Sequence, residues 1–318
     1  MNVFWPIFFR VITSGDLWQA SLQFAALLLL PALGGVISER SGVVNIAMEG
    51  MMLIGCYVGV AVTLASHNVL VGVLAAIIAG GLLALVHGVV SIHFKADQII
   101  SGIAINVAAL GLTNYLNIVQ TGGQGIPSLA SSLRLPILNW GPLGQLPFIG
   151  QVLFQQNSVF YLTIVILLGM QFLLFRTNLG LRIRAVGEHP QAADTAGIPV
   201  RLLRYACVVT SGLLSGLAGA FLALGVAGTF NPNMTAGRGF IALAAVVFGK
   251  YTPLGAAGAC LIFGLGLALS VRLQDTGIDS NLLATLPYIL TIIALIGLVG
   301  RTVAPAADGV PYEPGSAE

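Results

Sequence analysis

From residue 17 to residue 120 the chain is four apolar runs in series, parted only by turns of a few polar residues. The runs are read at about 17–37, 43–65, 69–94 and 98–120, and Ser38-Glu39-Arg40-Ser41-Gly42, Ser66-His67-Asn68 and Lys95-Ala96-Asp97 separate them. About 20 apolar residues suffice to cross a bilayer as a helix. Lipid offers no partner to backbone N–H and C=O groups, so spans of this kind must be helical. Further runs fall at about 158–175, 204–225, 254–271 and 281–300. The piece 239–249 is only roughly 16 Å long as a helix, short for a full crossing. It is read as a thin span or as a broken helix buried in protein. The fold class expected is an all-α polytopic membrane protein with eight or nine transmembrane helices, one of them short or broken.

Composition agrees. The chain is 57% hydrophobic and 8% charged, with a mean hydropathy of +0.96. Its 40 glycines suit close helix–helix packing. A net charge of +2 gives no basis for nucleic-acid binding. Cys56, Cys207 and Cys260 lie far apart in apolar runs and read as packing residues. Residues 1–16 carry Phe4-Trp5-Pro6-Ile7-Phe8-Phe9 and read as an interfacial segment rather than a cleavable signal. Residues 17–300 form the transmembrane domain, and the polar tail 301–318 is expected to be flexible. The region 121–157 reads as a long non-spanning connection.

Charge is concentrated in residues 176–204, where Arg176, Arg182, Arg184, Glu188, Asp194, Arg201 and Arg204 are joined by His189. Within this polar island Pro190 suits a first helical position and Gly197 a stop. A short helix over 190–196 follows. The segment is either a loop that sets topology or a docking surface for a soluble partner. With the island inside the cell, the inner loops hold nine of the Lys and Arg residues and the outer ones four, Arg10, Arg134, Arg238 and Arg272. The positive-inside rule then places the N-terminus outside and the C-terminus in the cytoplasm.

No catalytic set, metal-ligand spacing or phosphate-binding loop is present in the sequence. If ATP drives this protein, another chain binds it. Glu49 is the most informative intramembrane polar group, with Asn45 one turn before it. It either lines a pathway or is structural, paired with Arg40 or a backbone amide. Asn106, Thr113 and Asn117, with Asn114 at the edge, form a polar stripe on the fourth run. The stripe suits a hydrated path or polar glue between helices. The break around Thr229-Phe230-Asn231-Pro232-Asn233 exposes polar groups to a solute, to a partner, or only to a connecting loop.

Three motifs together resemble an ABC-importer permease of the branched-chain amino acid, simple-sugar and nucleoside family. They are Val44-Asn-Ile-Ala-Met-Glu-Gly50, Gly187-Glu-His-Pro-Gln-Ala-Ala-Asp-Thr-Ala-Gly-Ile198 and Gly237-Arg-Gly-Phe-Ile-Ala-Leu-Ala-Ala-Val-Val-Phe-Gly-Lys250. The resemblance covers about residues 20–302 and is strongest to the nucleoside branch. It implies a type II-like importer permease in a bacterial plasma (inner) membrane. The implied partners are a second, different permease subunit, a cytoplasmic ABC ATPase that uses ATP and Mg, and an extracytoplasmic solute-binding protein. It maps the ATPase-coupling helix onto Gly187, Glu188, Pro190, Ala192, Ala193, Asp194, Gly197 and Ile198. Candidate pathway residues are Asn45, Glu49, Asn106, Thr113, Asn114, Asn117 and Phe230. The chain itself would perform no chemistry and bind no cofactor. Branched-chain amino acids remain an alternative cargo, and an ion-coupled secondary transporter an alternative mechanism.

Overall fold

The computed structural model describes residues 10–126, 128–274 and 302–313, with isolated positions between 282 and 292. Among these, seven helices are long and apolar enough to cross a membrane. They are α1 (Gly15–Arg40), α2 (Met48–Ser66), α3 (Val69–Gly88, prolonged by a π turn to His93), α4 (Gln98–Thr121), α6 (Ser158–Arg176), α9 (Val200–Ala220, prolonged by a π turn to Ala227) and α11 (Pro253–Arg272). Between them lie a two-stranded antiparallel ladder, β1 (Ile137–Asn139) with β2 (Gln155–Asn157), and the short helices α5 (Ile149–Phe154), α7 (Asn178–Glu188), α8 (Pro190–Thr195) and α10 (Arg238–Phe248). The expected last span, 281–300, and most of the N-terminal segment lie outside the described residues.

α1, α2 and α9 are the core of the bundle, mostly buried along their apolar windows, whereas α3, α4 and α6 present most of theirs outward. Lipid tails are as apolar as leucine, so helices in a membrane are drawn together by packing rather than by the hydrophobic effect. The small residues supply that packing. A Cβ on Gly55 would lie 2.9 Å from Gly216 Cα, and one on Gly80 would lie 2.8 Å from the same atom. Backbones of α2, α3 and α9 therefore touch where these glycines meet, and a side chain at Gly216 has no room. All three cysteines are free and buried, as packing residues should be.

Two expectations change. Residues 43–47 do not start a span. They are non-helical, and α2 begins only at Met48. The tail is not flexible throughout. Over 302–313 it is seated at the Arg-rich end of the bundle, with Ala307 and Tyr312 buried. The Ala307 amide donates to the Gly187 carbonyl (2.9 Å), and Arg204 Nη1 donates to the Val310 carbonyl (2.9 Å). Composition marked the tail as polar, but the groups that hold it come from α7 and α9, more than 100 residues away.

Candidate functional site

The bundle is broken at two places that face each other. The first is 43–47, which is irregular backbone enclosed among helices. At that depth every polar backbone group needs a partner inside the protein. Gln98 Oε1 accepts from the Val44 amide (2.7 Å), and His87 Nε2 lies 3.0 Å from the Val44 carbonyl oxygen. Asn106 Nδ2 donates to the Ile46 carbonyl (3.0 Å), and its Oδ1 accepts from the Gly50 amide (2.7 Å). Asn45 Nδ2 donates to Ser211 Oγ on α9 (2.8 Å). Three neighbouring helices thus clamp five residues of extended chain.

The second break is 228–237. The π turn of α9 ends at Gly228 (φ 66°), and the chain turns back with Asn233 (φ 55°), Ala236 (φ 44°) and Gly237 (φ 83°) in left-handed conformations. α10 then starts inside the bundle. Its eleven residues reach only to the turn at Lys250 and Tyr251, whose carbonyls accept from Arg40 Nη2 (3.3 Å) and Nε (2.8 Å) at the end of α1. The short apolar piece is therefore a broken crossing, extended in one half and helical in the other.

Glu49 joins the two breaks. Its Oε1 accepts from the Gly237 amide (2.8 Å) and its Oε2 from the Gly239 amide (2.6 Å). A helix begins with amides that have no intrahelical acceptor and with a partial positive charge. Here a carboxylate from another helix supplies both the acceptors and the opposite charge. Of the two readings open for Glu49, the structure shows a backbone-amide partner, and Arg40 is engaged elsewhere.

The other pathway candidates separate. Asn45 and Asn106 are occupied in the clamp. Thr113 is buried and donates to the Ala109 carbonyl (2.8 Å). Asn117 is buried, and its Oδ1 accepts from Thr121 Oγ1 (3.2 Å). Asn114 is exposed, on the opposite side of α4. Phe230 is fully buried, edge-on to Tyr57 with 5.2 Å between ring centroids, and its backbone bridges Ile126. The stripe is thus polar glue at Asn106, Thr113 and Asn117. Exposed polar groups at the second break are those of Asn231 and Asn233.

The polar island forms α7 and α8. Thr177 Oγ1 caps α7 by accepting from the Gly180 amide (3.1 Å). Pro190 opens α8, and Gly197 leaves it at φ 80°. A side chain at Gly187 would collide with the Arg40 carbonyl, so α7 lies flush on the end of α1. Glu188 reaches Arg40 (4.0 Å) and accepts from the Ala306 amide (3.2 Å). The expected coupling set divides by face. Glu188, Ala192, Asp194 and Gly197 are exposed and Ile198 is half-buried. Gly187, Pro190 and Ala193 are buried, with Ala193 packed in a small core beside Val186, Val200 and Tyr312. Ala193 is therefore an inward anchor and not part of an outer docking face.

Sequence reasoning missed Glu39, Arg204 and Asp308. All three are polar groups at the Arg-rich end, and Arg204 is only 2% exposed. Arg204 Nε donates to the Ser41 carbonyl (3.1 Å). Its neighbour Asp308 is held by burial at about 7, with the Arg204 guanidinium pulling the other way. Glu39 on α1 and Tyr251 also lie within electrostatic reach of Asp308. A carboxyl with a raised pKa favours the docked tail when protonated, so docking weakens as pH climbs from the ordinary Asp value towards 7 and stays weak above it. Between pH 6 and pH 8 the docking equilibrium should fall roughly tenfold. A nitroxide on Val303→Cys, read by its mobility in detergent, should report this loosening. In Asp308→Asn the response should vanish.

A family model described as the permease component of branched-chain amino acid transport systems matches residues 19–299. The guanosine ABC transporter permease protein NupQ of Bacillus subtilis (strain 168) is 44% identical over 311 residues, covering 92% of this chain and 95% of that one. The nucleoside ABC transporter permease protein NupC of Lactococcus lactis is 38% identical over 304 residues, 92% of this chain and 94% of that one. A second Bacillus subtilis protein, the guanosine ABC transporter permease protein NupP, is 28% identical over 271 residues, 80% of this chain and 73% of its own length.

Proposed function

Because the chain belongs to the permease family of branched-chain amino acid transport systems, we propose that it carries nucleosides through the membrane as one permease subunit of an ATP-driven importer. The observation that carries the cargo class is its similarity along nearly the whole chain to permeases named for guanosine and nucleosides. The partners are a cytoplasmic ATPase, an extracytoplasmic binding protein and a second permease of different sequence. The unequal similarity to NupQ and NupP, two guanosine permease proteins of one organism, supports a heteromeric pair. The excess of Lys and Arg at the α7–α8 end favours a cytoplasmic location for that end and for the tail.

In this reading α8 is the element on which the ATPase acts, through Glu188, Ala192, Asp194 and the chain up to Ile198. Asn114, Asn231 and Asn233 meet the solute from outside the fold. Glu49, Asn45, Asn106 and Phe230 hold the broken segments that border the path. Broken helices are how transporters place free backbone groups near a solute at membrane depth. An ion-coupled mechanism lacks support from Glu49, because both carboxylate oxygens are committed to amides.

The test is uptake of radiolabelled guanosine into proteoliposomes holding this chain with the other components of its transporter. Uptake should require ATP and the ATPase and should persist when proton and sodium gradients are collapsed. Accumulation by this chain alone, driven by an ion gradient, would sink the reading.

A further inference from the structure

The docking helix α8 has little of its own to stand on. It is six residues long, and only Pro190 and Ala193 are buried on it. The apolar core behind Ala193 consists of Val186 from α7, Val200 from α9 and Tyr312 from the tail, with Ile198 and Leu203 at its margin. Two of the three residues behind Ala193 belong to the same continuous loop as α8. Tyr312 does not, and at 6% exposure it is the one large side chain inserted from elsewhere.

The tail that delivers Tyr312 is fixed on both sides of it. Upstream, Ala306, Ala307 and Val310 bond to Glu188, Gly187 and Arg204. Downstream, Glu313 pairs with Lys95 Nζ (2.5 Å) in the turn between α3 and α4. That turn leads directly into Asp97, whose side chain accepts from the first amides of α4 (2.8 and 3.0 Å), and into Gln98 and Asn106 of the clamp on 43–47. α8 is covalently continuous with α7 and α9 only. Through the tail it gains a second attachment, to α3 and α4.

We propose that Tyr312 is a positioning residue for energy coupling: the tail 302–313 acts as a strut that carries motion of α8 to the α3–α4 turn. This rests on the reading of α8 as the ATPase-docking element. A docking helix without a firm backing would yield under load, so displacement by the ATPase would be absorbed locally instead of moving the bundle. The phenol ring supplies the backing through packing, and its hydroxyl, next to Asp194, is secondary.

The experiment compares wild type, Tyr312→Ala and Tyr312→Phe in the complete reconstituted transporter, measuring guanosine uptake and ATP hydrolysis on the same vesicles. Tyr312→Ala should keep the ATPase bound and hydrolysing within about twofold of wild type, while guanosine moved per ATP falls on the order of tenfold. Tyr312→Phe should restore that ratio, because it keeps the ring. An unchanged ratio in Tyr312→Ala overturns the strut. Loss of the assembled complex in Tyr312→Ala also overturns it, since Tyr312 is then a scaffold residue. If wild type itself shows no ATP-dependent uptake, it is the importer reading that fails, and the two failures are distinct.

Discussion

Glu49→Ala should lower the stability of the protein by roughly 3–5 kcal/mol, since it removes two hydrogen bonds to a charged acceptor at about 1.5–3 kcal/mol each. The two bonds end on the Gly237 and Gly239 amides, at 2.8 and 2.6 Å. Without the carboxylate both donors are left inside the bundle, where water does not reach them readily and each unmet group is expensive. The start of α10 also loses the negative charge that opposes its dipole. Glu49→Gln keeps one acceptor oxygen and should show an intermediate loss. Thermal melting of the purified protein in detergent reads the effect, together with the yield of monodisperse material. If Glu49→Ala melts like wild type while uptake disappears, the residue acts on the solute and not on the fold.

Ala192→Glu and Ala193→Glu should differ sharply although the residues are adjacent. Ala192 is exposed on the outer face of α8, whereas Ala193 is 4% exposed. A glutamate at 192 projects into solvent in the isolated chain and should leave melting unchanged. In the transporter it occupies the docking face, and uptake should fall at least tenfold with the ATPase no longer co-purifying. A glutamate at 193 must enter the pocket formed by Val186, Val200 and Tyr312. An unpaired buried charge is strongly unfavourable, so α8 and the tail should detach together, seen as increased mobility of a label on Val303→Cys. Identical behaviour of the two variants would mean that α8 is rotated from the orientation described.

Much of this could be read from the sequence, for reasons specific to membranes. The length of the apolar runs fixes the number of helices, since no other open structure satisfies its backbone in lipid. Pro190 and Gly197 bracket α8 because each has a backbone restriction that depends on no neighbour. The Gly187-to-Ile198 motif likewise marked the docking loop, although which of its alanines faces outward depends on Val200 and Tyr312. The polar stripe on α4 was visible as periodicity. Its meaning was not, because glue and path present the same residues at the same spacing, and only the partner atoms at Ile46 and Gly50 distinguish them.

By itself, then, the sequence determined a helical membrane permease with a polar docking loop, because hydropathy, helix caps and charge asymmetry are local properties that act on the chain wherever it goes. The tertiary structure alone decided that 43–47 is unwound, that Glu49 closes the start of α10, and that Tyr312 backs Ala193. Each of these joins residues far apart in the chain, 188 positions in the case of Glu49 and Gly237. The physical reason is the same in all three. A buried donor, acceptor or cavity specifies only what must fill it, and which residue does so is set by how the helices pack.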